Sequence, residues 1–194
     1  MDLDNTLYSE IEYINSCVEI LLEEIGTEFS MKEWKIQLQK YYEDNGNSLI
    51  FDNFLVKELQ LPKESLKTFL NILRFSNINF NIKFYPGVEN FLKSNSGRVI
   101  IVTDGNPHQQ KRKVQLLQLS EFITSENIIY SSLYEGKDSV KFKKFLQEFL
   151  IKKKLQSSDG WVIGDNSIID QALARNFNFE FIHVQKGDFF REYV

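Results

Sequence analysis

Two carboxylates stand one residue apart in the N-terminal segment Asp2-Leu3-Asp4-Asn5-Thr6-Leu7. In an extended segment both side chains leave the same side of the backbone, so their charges lie close together. Their repulsion either raises the pKa of one carboxyl group or recruits a cation, and oxygen-only ligands of this kind suit Mg²⁺. One carboxylate can then attack phosphorus, the other can transfer protons, and the metal can screen the negative charge. The segment is a candidate site for phosphate chemistry, and the alternative is an acidic turn rich in Asp and Asn.

Two further polar clusters follow predicted strands. Residues 103–106 come directly after the apolar, β-branched run 98–102, and residues 164–170 come after the short run 161–163. In open parallel sheets the ligand crevice lies outside the carboxyl ends of the strands. We therefore expect the three clusters to converge there, which is how separate loops assemble a phosphoryl-transfer site.

The elements that must position these clusters alternate between strands and helices after Tyr85-Pro86-Gly87, as is typical of a doubly wound, mostly parallel sheet. The predicted strands are 98–102, 127–130, 161–163 and 179–184, and the predicted helices are 88–93, 109–119, 139–154 and 168–175. The helix at 139–154 carries an apolar stripe on one face, which includes Phe142 and Leu146. This part of the chain is predicted to form a Rossmann-like α/β core.

Residues 8 to about 84 show helical spacing of apolar residues and no convincing strand pattern. The predicted helices begin near Ile11, after Ser30 with Glu33 completing a capping box, near Phe51, and at Pro62. The stretch 77–82 alternates polar and apolar residues, which indicates an extended linker or a connecting strand. The segment is expected to be an all-helical insertion.

Length, charge and cysteine content exclude several classes of function. The 194 residues suffice for one domain with an insertion or for two small lobes. Cys17 is the only cysteine, which excludes an internal disulfide or a thiol cluster for zinc and favours a reducing cytoplasm. The net charge of −4 disfavours nucleic acid as a partner, and no apolar run approaches the length of a membrane span. A small anionic molecule remains the expected partner, and the sequence does not indicate an oligomeric state.

The chain resembles the haloacid dehalogenase-like (HAD) hydrolase superfamily in four motifs: Asp2-Leu3-Asp4-Asn5-Thr6-Leu7, Val102-Thr103-Asp104-Gly105, the lysine of Glu135-Gly136-Lys137, and Gly164-Asp165-Asn166 with Asp170. The helical block before Tyr85-Pro86-Gly87-Val88 is similar to the cap of the subfamily that includes phosphoglycolate phosphatase and β-phosphoglucomutase. Gln110 and Lys113 are similar to residues of HAD-like proteins encoded among bacterial surface-polysaccharide genes. The resemblance implies a Rossmannoid core at 1–7 and 85–194 and a helical cap at 8–84.

The resemblance also implies catalytic roles. Asp2 would attack phosphorus to give an aspartyl-phosphate, and Asp4 would protonate the leaving alcohol and then activate water. Thr103 would hydrogen-bond the phosphoryl oxygens and Lys137 would neutralise them. Asp104 and Gly105, adjoining Thr103, would complete the phosphate-binding segment.

A bound Mg²⁺ is implied in the same way. Asp165, Asp2 and the backbone carbonyl of Asp4 would hold it, and Asp170 would serve as a further metal ligand or as a support for one. The resulting expectation is a Mg²⁺-dependent phosphatase acting on a small phosphorylated metabolite, because dehalogenases of the superfamily lack an acid at the position of Asp4. The alternatives are a sugar-phosphate mutase and a catalytically silent HAD-like binding protein or truncated product.

The chain departs from the superfamily pattern in two places. Members carry an apolar central strand before the first Asp, whereas only Met1 precedes Asp2 here, so the first strand is predicted to be truncated. We expect upstream residues to be missing from this sequence, since a sheet without its middle strand would bury unpaired backbone groups. In addition, Lys137 is followed by Asp138 instead of the usual Pro, which makes Lys141 a rival for the phosphate-binding lysine.

Overall fold

A computed structural model of the chain describes residues 1–26, 31–46, 50–76, 82–155 and 160–194. The chain divides into two compact units. We call Met1–Ser9 with Asn81–Val194 the core unit, and Glu10–Phe80 the helical unit. Among the described residues, no helix is long and apolar enough to span a membrane.

The helical unit contains helices α1 (Glu10–Glu24), α2 (Met31–Asn45) and α3 (Ser65–Phe75), with a π-helix at Ile50–Glu58 between α2 and α3. The prediction that a helix begins at Pro62 was wrong by three residues. The carbonyl of Pro62 instead accepts hydrogen bonds from the backbone nitrogen of Ser65 at 3.0 Å and from its hydroxyl at 2.5 Å, and α3 begins there. The predicted capping residue Ser30, and all but the last residue of the stretch 77–82, lie outside the described residues.

Apolar side chains of the predicted helical faces form the interior of the helical unit. Trp34 is 2% exposed, and Leu21 and Phe54 are completely buried. The Tyr13 hydroxyl donates to the backbone carbonyl of Leu73, which ties α1 to α3. The helical spacing read from the sequence is thus confirmed for the described part of this unit.

The core unit alternates strands and helices in the predicted order. Its strands are β1 (Ile101–Thr103), β2 (Ile128–Tyr130), β3 (Trp161–Gly164) and β4 (Glu180–His183), and its helices are α4 (Val88–Ser94), α5 (Pro107–Leu116), α6 (Val140–Lys152) and α7 (Ile169–Phe177). β1 pairs with β2 and β3 pairs with β4, in both cases in parallel. The expected α/β class with a parallel arrangement is confirmed, in the form of two small sheets.

The first two residues of the chain lie between these two sheets. The Met1 nitrogen donates to the carbonyl of Ile100 at 2.8 Å, and the Met1 carbonyl accepts from the nitrogen of Val102 at 2.8 Å. On the other side, the Asp2 nitrogen donates to the carbonyl of Ile163 at 2.8 Å. Met1 and Asp2 therefore occupy the end of a central strand position, in agreement with a truncated first strand.

A buried apolar cluster packs strands β1 and β2 against two helices of the core unit. It joins Val102 of β1 and Ile129 of β2 to side chains of α6 and α7, namely Phe142, Leu146 and Leu173. The predicted apolar stripe of the helix at 139–154 thus faces the interior. Because cores of this kind are close-packed, they hold the ends of β1 and β2 in fixed positions.

A tight turn follows Asp2. The nitrogen of Leu7 donates to the carbonyl of Leu3 at 3.0 Å, and Asn5 adopts a positive φ of 54° within the turn. The carbonyl of Leu7 then accepts from the nitrogen of Tyr85 at 2.8 Å, which fastens the turn to the core unit. Because of this turn, the Asp4 side chain lies apart from that of Asp2 and contacts α5.

Candidate active site

Four polar segments of the core unit meet at the carboxyl ends of β1 and β3. Asp2 lies beside β3, and Thr103 is the last residue of β1. The Nζ atom of Lys137 lies 2.8 Å from Asp2 Oδ1 and 2.9 Å from Asp170 Oδ1. The structure therefore brings residues from the first, third and fourth motifs into direct contact.

Lys137 reaches this position through an unusual turn. Glu135 and Gly136 both have positive φ angles, of 72° and 99°, and the next residue enters the interior with its side chain only 4% exposed. Lys141, by contrast, pairs with Glu135 at 3.3 Å on the surface, where both side chains are more than half exposed. The structure places Lys137 against Asp2, and it places Lys141 outside this group.

Asp170 is held in place by the loop that ends β3. Its side chain is 1% exposed, and Oδ2 accepts a hydrogen bond from the nitrogen of Asn166 at 3.2 Å. The side chain of Asn166 in turn accepts from the nitrogens of Ile168 and Ile169, which caps the start of α7. A Cβ atom added to Gly164 would lie 2.2 Å from Asp170 Oδ2. Only glycine at position 164 leaves room for the carboxylate.

Three carboxylates form an acidic cluster, which we define as Asp2, Asp165 and Asp170 together with Lys137. Each of the three acids offers an oxygen within 4.8 Å of the others. Burial, and then the charge of Asp170, raise the pKa of Asp2 to about 7 against the opposing effect of Lys137. The same two causes raise the pKa of Asp165 to about 6. Burial lowers the pKa of Lys137, but the neighbouring carboxylates outweigh it and raise that pKa well above its usual value.

The acidic cluster fits a divalent cation. The carboxylates of Asp2, Asp4, Asp165 and Asp170 face two buried lysines, Lys113 and Lys137, so these six side chains carry a net charge of −2 when all are ionised. Raised pKa values show that Asp2 and Asp165 resist ionisation when only protein surrounds them. A hard cation with oxygen ligands relieves this cost. The side chain of Asp4 lies outside the cluster, and only its backbone carbonyl was expected to contribute.

The Asp4 carboxylate lies in a different environment, the donor cluster, which we define as Asp4 with Tyr8, Gln110 and Lys113. Oδ1 accepts from the Tyr8 hydroxyl at 2.5 Å and from Lys113 Nζ at 2.7 Å. Oδ2 accepts from Gln110 Nε2 at 3.0 Å. The Lys113 side chain is completely buried, whereas the Asp4 side chain is 19% exposed. Asp4 is thus held by three donors and still reaches the surface.

Gln110 links Asp4 to the second motif. Its Oε1 atom accepts from the hydroxyl of Thr103 at 3.1 Å, while its Nε2 atom donates to Asp4. A carboxylate only accepts hydrogen bonds, so the amide nitrogen must face Asp4 and the amide oxygen must face Thr103. The single hydroxyl proton of Thr103 is therefore directed at Gln110 in this structure.

Asp104 and Gly105 form a short loop beside these groups. Asp104 Oδ1 accepts from the nitrogen of Gly105 at 3.0 Å. Gly105 has a φ of 97°, and a Cβ atom there would lie 3.1 Å from Gln110 Nε2. The loop thus passes close to the donor cluster. The described contacts do not join it to Asp2 or Lys137.

No role was predicted for Gln110 or Lys113, although both are buried on α5. The available signal was their separation of three residues on the helix that follows the second motif, which places them on one face. Their common partner, Asp4, precedes Lys113 by 109 positions. Helical spacing alone does not identify so distant a partner.

Solved structures share this fold. A hydrolase from Streptococcus pneumoniae TIGR4 is 17% identical with a TM-score of 0.55, covering 95% of this chain and 90% of that one. A candidate phosphatase from Clostridium difficile is 15% identical with a TM-score of 0.62, covering 96% and 83%. The candidate HAD-hydrolase YfnB from Bacillus subtilis, bound to magnesium, is 14% identical with a TM-score of 0.63, covering 94% and 86%. At these identities the likeness shows the fold alone. No curated protein matched the chain.

A family model covers nearly the whole chain. The model, described as haloacid dehalogenase-like hydrolase, matches residues 1–184. The match includes all four motifs and the helical unit between the first and the second. The resemblance drawn from the motifs is confirmed, and the chain belongs to the haloacid dehalogenase-like hydrolases.

Proposed function

We propose that this hydrolase is a Mg²⁺-dependent phosphatase that cleaves a small phosphomonoester through an aspartyl-phosphate on Asp2. The observation that carries the proposal is the separation of two neighbouring carboxylates into two environments. Asp2 forms an ion pair with Lys137 in the acidic cluster. Asp4 forms an ion pair with Lys113 and accepts a hydrogen bond from Gln110 in the donor cluster. Phosphoryl transfer through a carboxylate needs one acid as nucleophile and another as proton donor and acceptor.

Asp2 is the proposed nucleophile. A carboxylate oxygen of Asp2 bonds to phosphorus while the bond from phosphorus to the alcohol oxygen breaks. Lys137 contacts Asp2 Oδ1 at 2.8 Å, so its positive charge lies where the phosphoryl group would arrive. Water then attacks the same phosphorus, the bond to Asp2 breaks, and inorganic phosphate leaves.

The acidic cluster is the proposed Mg²⁺ site. Asp2, Asp165 and Asp170, with the backbone carbonyl of Asp4, would hold the ion. When bound, Mg²⁺ would offset the charges of the carboxylates and of the phosphoryl group. The superfamily's general use of Mg²⁺ and the oxygen-only donor set support this assignment.

Asp4 is the proposed acid and base. Asp4 must first take up a proton from solvent to act as the acid. This carboxyl proton passes to the alcohol oxygen as the ester bond breaks, and the resulting carboxylate then takes a proton from the attacking water, which restores the acid. Partial exposure of Asp4 lets an alcohol or water reach it. Thr103, whose hydroxyl donates to Gln110, must turn that hydroxyl away from the amide to donate to a phosphoryl oxygen.

The proposed substrate is a small phosphorylated metabolite of the cytoplasm. The acidic composition, with a net charge of −4, disfavours the long phosphate backbones of nucleic acids. The single cysteine supports a reducing compartment.

Phosphate release from a panel of small phosphomonoesters, measured with and without Mg²⁺, tests the proposal. We expect activity that requires Mg²⁺ and that falls more than about 10³-fold in Asp2→Asn. The surface variant Asp52→Asn, which makes the same chemical change at an exposed residue, should retain full activity. Mass spectrometry after acid quenching should find the phosphoryl group on a peptide containing Asp2. A folded wild-type chain that releases no phosphate, or an active Asp2→Asn variant, would overturn the proposal.

A further inference from the structure

We propose that Lys113 and Gln110 are positioning residues that orient the Asp4 carboxylate for proton transfer to the leaving alcohol. The inference rests on the proposed phosphatase function. It concerns the direction in which Asp4 points, and it assigns neither residue a contact with substrate.

Complete burial of Lys113 is the first observation. A lysine side chain at 0% exposure is rare and costly, and it persists when a partner compensates its charge. Its Nζ atom lies 2.7 Å from Asp4 Oδ1, within the range of a charge-assisted hydrogen bond. The acidic cluster has Lys137 as its own buried lysine. Each carboxylate of the first motif is therefore served by a different lysine.

The second observation is that the two α5 side chains bind different oxygens of Asp4. Lys113 donates to Oδ1 and Gln110 donates to Oδ2. One contact would leave the carboxylate free to rotate about the bond to its Cβ atom, where rotation is soft. Contacts on both oxygens restrict that rotation, which is how supporting side chains fix a reacting group.

Helix α5 is itself firmly placed. Asn106 caps its first turn by accepting from the nitrogens of His108 and Gln109, and Pro107 is pre-organised for the first helical position. The helix begins four residues after the end of β1, so its origin is tied to the strand. Gln110 and Lys113, three residues apart, share one face of this helix. Because Gln110 and Lys113 hold Asp4 by hydrogen bonds, the position of Asp4 depends on where β1 places the helix.

Orientation of Asp4 matters more for some esters than for others. An alkyl phosphate releases a basic alkoxide, which needs a proton as the ester bond breaks. The leaving group of p-nitrophenyl phosphate is stable as an anion and needs little protonation. Misplacement of a reacting group by about 1 Å can cost on the order of 10²-fold in rate. Loss of the positioning pair should thus slow alkyl esters selectively.

The experiment compares kcat/KM for glycerol phosphate and p-nitrophenyl phosphate, because this constant reports events up to release of the alcohol. Lys113→Met and Gln110→Met are the test variants, and Lys111→Met is the control. Lys111 lies on the same helix, is exposed, and contacts the Tyr130 ring. We expect about a 10²-fold loss for glycerol phosphate and less than about a 10-fold loss for p-nitrophenyl phosphate in both test variants.

The outcomes separate this inference from the proposed function. If the wild-type chain hydrolyses both esters and each test variant loses activity equally on both, the positioning role is overturned and the phosphatase function stands. If the folded wild-type chain releases phosphate from no ester of the panel, these two included, the phosphatase function is overturned and this inference falls with it. Gln110→Met keeps the test decisive should Lys113→Met fail to fold, since it removes a neutral donor and leaves the Lys113 pair intact.

Discussion

The two carboxylates of the first motif are separated by one residue and yet belong to different environments. Asp2 lies in the acidic cluster, where burial and the charge of Asp170 raise its pKa to about 7. Lys137 forms ion pairs with both Asp2 and Asp170. Asp4 lies in the donor cluster and accepts from three side chains. The comparison shows how one short motif supplies two chemical roles, because the neighbours of each acid, and not the acid itself, set what it does.

The two environments also depend on different elements. The acidic cluster is held by β3, the cap of α7 and the turn that carries Lys137. The donor cluster is held by α5 and by the turn between Leu3 and Leu7. A substitution in one cluster is therefore expected to affect one role first.

The largest effect is expected from Lys137→Met. Removing Lys137, the one lysine of the acidic cluster, leaves the partly buried carboxylate of Asp2 and the buried carboxylate of Asp170 without their charge partner. Breaking a buried pair in this way costs about 3–5 kcal/mol in the free energy of unfolding. Phosphatase activity should fall by more than about 10³-fold on every ester. Urea denaturation and steady-state kinetics measure the two effects.

Lys141→Met is the matched control for that variant. Its exposed pair with Glu135 should contribute less than about 1 kcal/mol, and activity should be unchanged. If Lys141→Met abolished activity while Lys137→Met retained it, the assignment of Lys137 to the phosphoryl group would be wrong.

Gly164→Ala should have the next largest effect. The added methyl group would lie 2.2 Å from Asp170 Oδ2, so the carboxylate must move out of the acidic cluster. Overpacking of this kind costs about 1–3 kcal/mol, and we expect the apparent Mg²⁺ affinity to fall by at least about 10-fold. Gly97→Ala is the control, because its Cβ atom meets no atom within 4 Å and only the strain of a φ of 81° remains. Equal losses of Mg²⁺ affinity in both variants would contradict the steric argument.

The pH dependence of stability should differ with and without Mg²⁺. The pKa of Asp2 is raised from 3.8 to about 7, and the pKa of Asp165 is raised from 3.8 to about 6. Between pH 3.8 and about pH 7, the metal-free folded chain therefore binds more protons at these carboxyl groups than the unfolded chain does. Its free energy of unfolding therefore decreases as pH rises through that window. Mg²⁺ binding displaces these protons, so its stabilising effect should increase with pH.

Thermal unfolding with EDTA or Mg²⁺ at about pH 5 and about pH 8 checks this prediction. A gain of 1 kcal/mol from Mg²⁺ corresponds to roughly 2–4 °C for a chain of this size, and we expect it mainly at the higher pH. Asp165→Asn should weaken the Mg²⁺ effect. An equal Mg²⁺ effect at both pH values would show that the cation binds without displacing protons from the acidic cluster.

Much of the fold followed from sequence because each indicator was local. Apolar spacing located the helices, and β-branched runs before polar loops located the strands. The predicted ends of an element were wrong where backbone hydrogen bonds, and not the side-chain pattern, determine where the element begins. β1 was expected from Arg98, but the nitrogen of Arg98 donates to the carbonyl of Asn95 at 2.9 Å in the turn after α4. The strand begins at Ile101, next to Met1.

The candidate active site was likewise predictable from the sequence only in part. Proximity of Asp2 and Asp170 was predictable, since parallel strands present their carboxyl ends at one edge, and the position of Lys137 beside them followed from the family resemblance. The donor cluster was not predictable, because a buried lysine finds its partner through tertiary packing. Gly164 shows a similar limit. Its motif indicated a loop, whereas the reason for glycine there is the space occupied by Asp170, which only the structure reveals.

The smallest effect is expected from Tyr8→Phe, which removes one of the three donors to Asp4. A hydrogen bond to a charged group contributes about 1.5–3 kcal/mol, but Lys113 and Gln110 remain on both oxygens, so kcat/KM for glycerol phosphate should fall less than about 10-fold. Tyr42→Phe is the control, because its hydroxyl donates to the buried Glu10 of the helical unit. It should cost similar stability and leave the ratio of kcat/KM values for the two esters unchanged. A selective loss in Tyr8→Phe as large as that in Lys113→Met would instead make the hydroxyl the main support of Asp4.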